Sequence, residues 1–452
     1  MNRGILAALF VTPLLLCAQP TDIRGIIENG QRPKIAVPDF RGAGNAQAAM
    51  AAFNATLWSE LSGSGALTMV EKNYYPLNVP QQPADFKRGG PWLTDWSNPP
   101  VGATNLAFGY AAVQDGQLVV RGWLYNLTQP DPASAQVIGK LYFGSLDADG
   151  AKKAAREFAA DILASFGIKG LAGTKIYFVS DRTGQKEIWS MDYDGSNQRQ
   201  ITRYKTITQS PVISLDGKWL AYTTLFKRPG SPIESWNLVI QSTLTGEKAP
   251  FKNPDAPTNG WPDFAPNGRF LFGSSLTRDT EIYSSTIDGG DLRQITHSRD
   301  IDISPRANPK TGRDVLFISN RTGKQQLWRV NIDGGDAEML TSGVGEVANP
   351  SWRPDGQMVA FAWTQGFELG GFNIFIMDVA TRKPLQLTKD SGVNENPWWA
   401  PDGLHMVYSS KRGSATQGTS TQVYTMTLDG ENVRRLTSGG NNMQPVWTSP
   451  VQ

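Results

Sequence analysis

Residues 175–217 read KIYFVSDRTGQKEIWSMDYDGSNQRQITRYKTITQSPVISLDG, and the pattern in this stretch recurs to the C-terminus. An apolar run, Ile176 to Val179, leads into the polar turn Ser180-Asp181-Arg182-Thr183-Gly184. A second run from Glu187 to Met191 meets Asp194-Gly195, a hairpin signal because both turn residues tolerate positive φ. A third short strand ends at Gln200-Ile201-Thr202, and a fourth lies around Pro211-Val212-Ile213 before Asp216-Gly217. Four short strands per unit is the make-up of a propeller blade.

Three of these strands can be followed through the chain. Glu187-Ile188-Trp189 recurs as Asn237-Leu238-Val239, Glu281-Ile282-Tyr283, Gln326-Leu327-Trp328, Asn373-Ile374-Phe375 and Gln422-Val423-Tyr424, at steps of roughly 44 to 50 residues, a blade-like period. Gln200-Ile201-Thr202 recurs in every unit but the second, where Pro250-Phe251-Lys252 stands. Pro211-Val212-Ile213 recurs as Pro262-Asp263-Phe264, Pro305-Arg306-Ala307, Pro350-Ser351-Trp352, Pro397-Trp398-Trp399 and Pro445-Val446-Trp447. The expected fold is mainly β, a six-bladed propeller over 172–452. The repeat starts without an inner strand and ends on one, so the two ends are expected to share a blade and leave no open edge.

The 452-residue chain has room for more than this ring, and its formal charge of +2 favours neither nucleic acid nor an anionic membrane. Ahead of the repeats, Lys34–Phe40, Leu67–Val70, Asn105–Val113, Leu118–Asn126 and Val137–Phe143 read as strands. Ala46–Leu61 and Ala151–Phe166 read as amphipathic helices, with Met50, Phe53, Leu57 and Leu61 on one face of the first and Ala155, Phe158, Ile162 and Phe166 on one side of the second. A small α+β domain over 19–168 is expected. Arg3 followed by the apolar run Ile5–Leu16 and Cys17-Ala18 reads as a secretory signal over 1–18, too short to span a bilayer. Cys17, the only cysteine, reads either as a lipidated residue or as an ordinary signal residue.

Little in the sequence suggests catalysis. No G-x-S-x-G occurs, and the two histidines, His297 and His405, fall in separate units and read as surface or loop residues. Asp192-x-Asp194-Gly195 and Asp147-x-Asp149-Gly150 lack the closing Glu of a calcium loop and read as turns. No metal or cofactor is expected. Trp352, Trp399 and Trp447 share one position of the inner strand and read as packing between blades, with a binding platform as the other reading; Trp261 and Trp398 sit beside that position. The loops ahead of the inner strands vary most, and binding specificity commonly sits in such loops.

The repeats Pro350-Ser351-Trp352-Arg353-Pro354-Asp355-Gly356 and Pro397-Trp398-Trp399-Ala400-Pro401-Asp402-Gly403 lie near the form P-x-W-S-P-D-G-K-x-I-A-Y. Together with Arg32-Pro33-Lys34-Ile35-Ala36-Val37-Pro38-Asp39-Phe40 they make the chain resemble the TolB family of the bacterial Tol–Pal system. Leu215, Asn267 and the insertion at Pro309–Gly312 depart from the pattern. The resemblance implies a non-enzymatic, monomeric periplasmic scaffold that supports outer-membrane integrity and cell division. In such a scaffold the propeller binds the lipoprotein Pal and the extreme N-terminal segment binds TolA. The segment here would be Thr21 to Gly30, with Asp22, Ile23, Arg24, Gly25, Ile26 and Ile27 as its contacts. The Pal-facing residues would be Thr258, Asn259, Trp261, Ile303, Ser304, Glu346, Asn349, Glu395 and Asn396. No nucleic-acid partner or membrane insertion is implied. A propeller-bearing hydrolase or lyase is the alternative, and it would need a catalytic domain or a metal.

Overall fold

The computed structural model describes residues 32–449 apart from 87–92, 229, 231, 366–370, 390–391 and 413–419. Signal and N-terminal-segment assignments, Asp22 to Ile27 included, lie outside the described residues.

The first unit is one mixed sheet with its two long helices on a single face. Lys34–Ala36 lies between Thr68–Met69 and Asn105–Gln114, parallel to both. The hairpin Asn105–Gln114/Gln117–Asn126 and the edge strand Gln136–Gly144 continue the sheet antiparallel. Helices Met50–Gly63 and Ala148–Ser165 cover one face. Met50, Phe53, Leu57 and Leu61 are buried there with Ala155, Phe158 and Ile162, as the helical spacing predicts, while Phe166 is half-buried at the margin. The first strand stops at Ala36 rather than Phe40, because Val37 and Phe40 turn their backbone N–H groups to the Tyr75 hydroxyl and the Asn54 side chain. Phe86, Leu93, Trp96 and Val101 cover part of the opposite face.

Six repeats then form the propeller. Inner, second and third strands pair antiparallel in each blade, and five blades carry a short outer strand. In the last blade Asn442–Thr448 pairs with Lys175–Ser180, Asn442 opposite Ser180 and Thr448 opposite Lys175. The two ends of the repeat therefore share a blade. Trp447 seals the joint: it is 5 % exposed, packs on Ile176, Phe178 and Met191, and donates from Nε1 to Thr174 Oγ1 at 2.8 Å.

The recurring Gln/Glu and Thr have a physical role. Thr341 Oγ1 donates to Gln326 Oε1 (2.9 Å) and accepts from the Leu327 amide (2.9 Å), so one hydroxyl joins the start of the third strand to the end of the outer one. Thr202, Thr296, Thr388 and Thr437 make the same pair of bonds with Glu187, Glu281, Asn373 and Gln422 and the amides that follow them. Buried polar groups need such partners. In the second blade Asn253 takes this role, with Oδ1 on the Leu238 amide (2.7 Å) and Nδ2 on its carbonyl (2.9 Å). The interrupted repeat thus keeps the connection with a different side chain.

The Asp-Gly turns also hold blade to blade. Gly195 has φ +89°, and a Cβ there would stand 2.9 Å from the Leu436 carbonyl oxygen of the neighbouring blade. Positive φ and close backbone approach both require glycine at this point.

Candidate partner-binding site at the channel mouth

Every inner strand carries the same irregularity. The residue before its proline has a positive φ: Ser210 55°, Trp261 53°, Ser304 56°, Asn349 54°, Asn396 54° and Gln444 51°. The pairing register shifts there in all six blades. Proline has no N–H to give to a ladder, so it suits a bulge, and the bulge re-aims the side chain before it. Left-handed backbone is uncommon outside glycine and asparagine, and costs roughly 1–3 kcal/mol at a residue of another kind. Such strain persists only where the surrounding fold enforces it.

Five of these six residues line one cavity of about 560 Å³ at the mouth of the channel: Trp261, Ser304, Asn349, Asn396 and Gln444. Hydrogen bonds tie the ring across blades. The Ser210 amide donates to Gln444 Oε1 (2.8 Å), the Gln444 amide to Ser409 Oγ (3.0 Å), and Ser409 Oγ to Asn396 Oδ1 (3.1 Å).

Below the mouth the axis is filled by residues that follow the prolines. The Trp398 indole packs against three separate blade clusters and donates to the Trp447 carbonyl at 3.2 Å. The Arg306 guanidinium lies 5.0 Å from its ring centroid and donates to the Pro262 and Pro305 carbonyls. Asp263 stands 3.8 Å from Arg306 and accepts from the Ala307 amide at 2.7 Å. Burial outweighs both and pushes the Asp263 carboxyl up to about 6. The mouth is therefore a cup with a packed floor.

The cup is acidic. Glu346 and Glu395 line it, and no Lys, Arg or His does so among the described residues. Burial raises the Glu395 pKa above the usual glutamate value, with no compensating bond from the described residues. A half-buried carboxylate in this state gains from an incoming cation or N–H donor. Ile303, Ile318, Phe372 and Met443 supply apolar wall for the stem of such a group.

Of the residues nominated from the sequence, Trp261, Ile303, Ser304, Glu346, Asn349, Glu395 and Asn396 come together here. Thr258 and Asn259 do not reach the cavity lining. Thr258 donates its amide to Ser275 Oγ, and the fully buried Asn259 bonds the Pro254 carbonyl and accepts from Ser274. Gln444 was identifiable from its place before Pro445, matching Asn349 and Asn396. Gln325, Phe372 and Thr421 arrive from the loops between second and third strands, and no periodic signal marks them.

Trp352 and Trp399 are buried between blades, Trp352 donating to the Arg306 carbonyl at 2.9 Å. Trp261 alone of the inner-strand tryptophans lines the cup. His297 is exposed, whereas His405 is 7 % exposed and engages the first domain. That corrects the surface reading of His405: its position follows a tight turn, but the turn faces a second domain rather than solvent.

A family model described as "TolB beta propeller domain" matches residues 164–347 and 340–451. A "Protein TolB homolog" from Chlorobium luteolum is 30 % identical over 242 residues, 52 % of this chain and 51 % of that protein. A "Tol-Pal system protein TolB" from Desulfosudis oleivorans is 32 % identical over 202 residues, 44 % of this chain and 42 % of that protein. The matched stretch thus spans about half the length of these relatives. The crystal structure of TolB from Acinetobacter baumannii superposes with a TM-score of 0.72 at 22 % identity, covering 92 % of this chain and 97 % of that one, a likeness of fold.

Proposed function

Since the chain belongs to the TolB β-propeller family, we propose that it is a non-catalytic scaffold of the Tol–Pal system in the periplasm, taking Pal at the acidic cup and TolA through residues 21–30. On this reading residues 1–18 are a cleaved secretory signal, 19–168 the α+β domain and 172–452 the propeller. The linkage of the two partners serves outer-membrane integrity and cell division.

One observation carries the Pal part of the reading. Seven residues chosen from four different blades converge on a single concave, acid-lined surface whose backbone is held in an unfavourable conformation. Rigid, strained scaffolding around a cup suits recognition, because the site needs little reordering on binding. The two carboxylates, with no Lys, Arg or His among the described lining residues, favour a partner surface that presents an arginine or lysine there. The TolA part rests on family membership.

The test uses the mature chain and the soluble domain of Pal from the same organism. Glu346→Gln with Glu395→Gln is expected to weaken binding by tenfold or more, while deleting residues 21–30 leaves Pal binding in place and abolishes TolA capture. Failure of the intact chain to retain Pal would remove the assignment.

A further inference from the structure

The two domains meet along a cleft of about 1040 Å³, and His405 crosses it. Its Nε2 lies 2.6 Å from the Gly63 carbonyl oxygen, in the last turn of helix Met50–Gly63. Its Nδ1 lies 2.6 Å from Asp402 Oδ2 in its own blade. A carbonyl only accepts, so Nε2 must carry a hydrogen. A second proton must then sit between Nδ1 and Oδ2, or two acceptors would face each other at bonding distance. A neutral imidazole beside a carboxylate supplies one proton, and this arrangement holds two.

The surroundings favour that extra proton. Asp402 faces the ring from its own turn, and Asp429 contributes from the turn after Gln422–Thr427. Asp429 is itself held by Arg32, 3.0 Å away across the domain boundary. From the helix come its negative C-terminal end and, one turn earlier, Glu60, whose carboxylate is tied to Tyr193 and to Arg156. Arg156 also pairs with Asp194 at 2.8 Å, and Arg434 bonds the Asp194 carbonyl. These two cations are bonded to other groups. Burial by itself lowers the His405 pKa, but the bonds to Asp402 and Gly63 and the charge of Asp402 outweigh it, leaving the value above that of an ordinary histidine.

We propose that His405 is a proton-operated latch that holds the N-terminal domain against the propeller. With the proton present, one ring bridges the helix end and the blade. Without it, either the Gly63 carbonyl or the Asp402 carboxylate loses its donor in a buried place, and the bridge opens. Arg32, where the described chain begins, is fastened to the same corner through Asp429.

The chain has only two histidines, and His297 is exposed, so selective ¹⁵N-histidine labelling of the full chain gives two ring systems with an internal reference. At pH 6 His405 is expected to show a slowly exchanging Nε2–H and both ring nitrogens bonded to hydrogen. Its midpoint should lie above the ordinary histidine value. Spin labels at Val137→Cys and Val344→Cys, both exposed, in a Cys17→Ser background report domain separation; the distance distribution should broaden as pH rises through the His405 midpoint. His405→Gln should lose this transition, and Asp402→Asn should move its midpoint down. A single protonated nitrogen at pH 6, a distance unchanged from pH 5.5 to 9, or a transition that survives His405→Gln would overturn the latch. Should the glutamine variant fold poorly, an unmoved midpoint in Asp402→Asn does the same.

Discussion

Replacing Trp447 by alanine is expected to weaken the whole ring rather than one blade. The side chain is 5 % exposed and packs among Ile176, Phe178, Met191, Val407, Val423 and Leu436, residues from the first and last repeats. Removing a buried tryptophan typically costs about 3–5 kcal/mol in lost transfer and cavity terms. The Nε1–H bond to the buried Thr174 hydroxyl disappears as well, a net loss of about 1 kcal/mol. The total expected is about 4–6 kcal/mol. Deleting 445–452 should cost more, because it also removes the buried Val446 and leaves Tyr177, Ile176 and Lys175 without their strand partners. Equilibrium urea unfolding of the full chain measures both, with Val344→Ala, at a side chain 74 % exposed, as a control within about 0.5 kcal/mol of wild type. If Trp447→Ala unfolds at the control's midpoint, the shared blade does not close the ring.

The buried Asp263 titrates near 6 against an ordinary value of about 3.9, so between those values the folded state holds more protons than the unfolded one. Stability should therefore fall as pH rises from 4 to 6 and level off above; Asp263→Asn should flatten that slope in pH-dependent unfolding. Arg306→Ala strands the same carboxylate beneath Trp398 and should cost about 3–5 kcal/mol at pH 7.5 in urea unfolding. Glu395 is likewise raised by burial, so Glu395→Gln should stabilise the chain at pH 7.5, with the gain vanishing below about pH 4 as the native carboxyl protonates. Thr341→Val leaves the Leu327 amide without its partner and should cost about 1–3 kcal/mol by the same measurement.

The parts of this fold that repeat are legible in the sequence. Glu187-Ile188-Trp189 and its five counterparts mark third strands because a buried polar residue and an apolar residue recur there, followed by an aromatic in every unit but the second, where Val239 stands. Helix faces were equally clear, since Met50, Phe53, Leu57 and Leu61 follow helical spacing. What stayed hidden was contact between distant segments. No local pattern distinguishes Asn253, which replaces a threonine, or Phe372 and Thr421, which reach the cup over an intervening loop. Asn259 shows the converse, the first residue of an inner strand whose side chain turns inward to bond Pro254 and Ser274. His405 looked like a turn residue because its partner, Gly63, lies in another domain.

The acidic cup is the proposed seat of Pal. A photo-crosslinking amino acid at Asn349, in the cup lining, can be compared with one at Leu244, exposed in a turn at the other end of a blade. On irradiation of the native envelope, Pal should be captured from Asn349 and not from Leu244. Capture from Leu244 alone, or a Pal-free lane from Asn349 with the protein intact, would contradict the account.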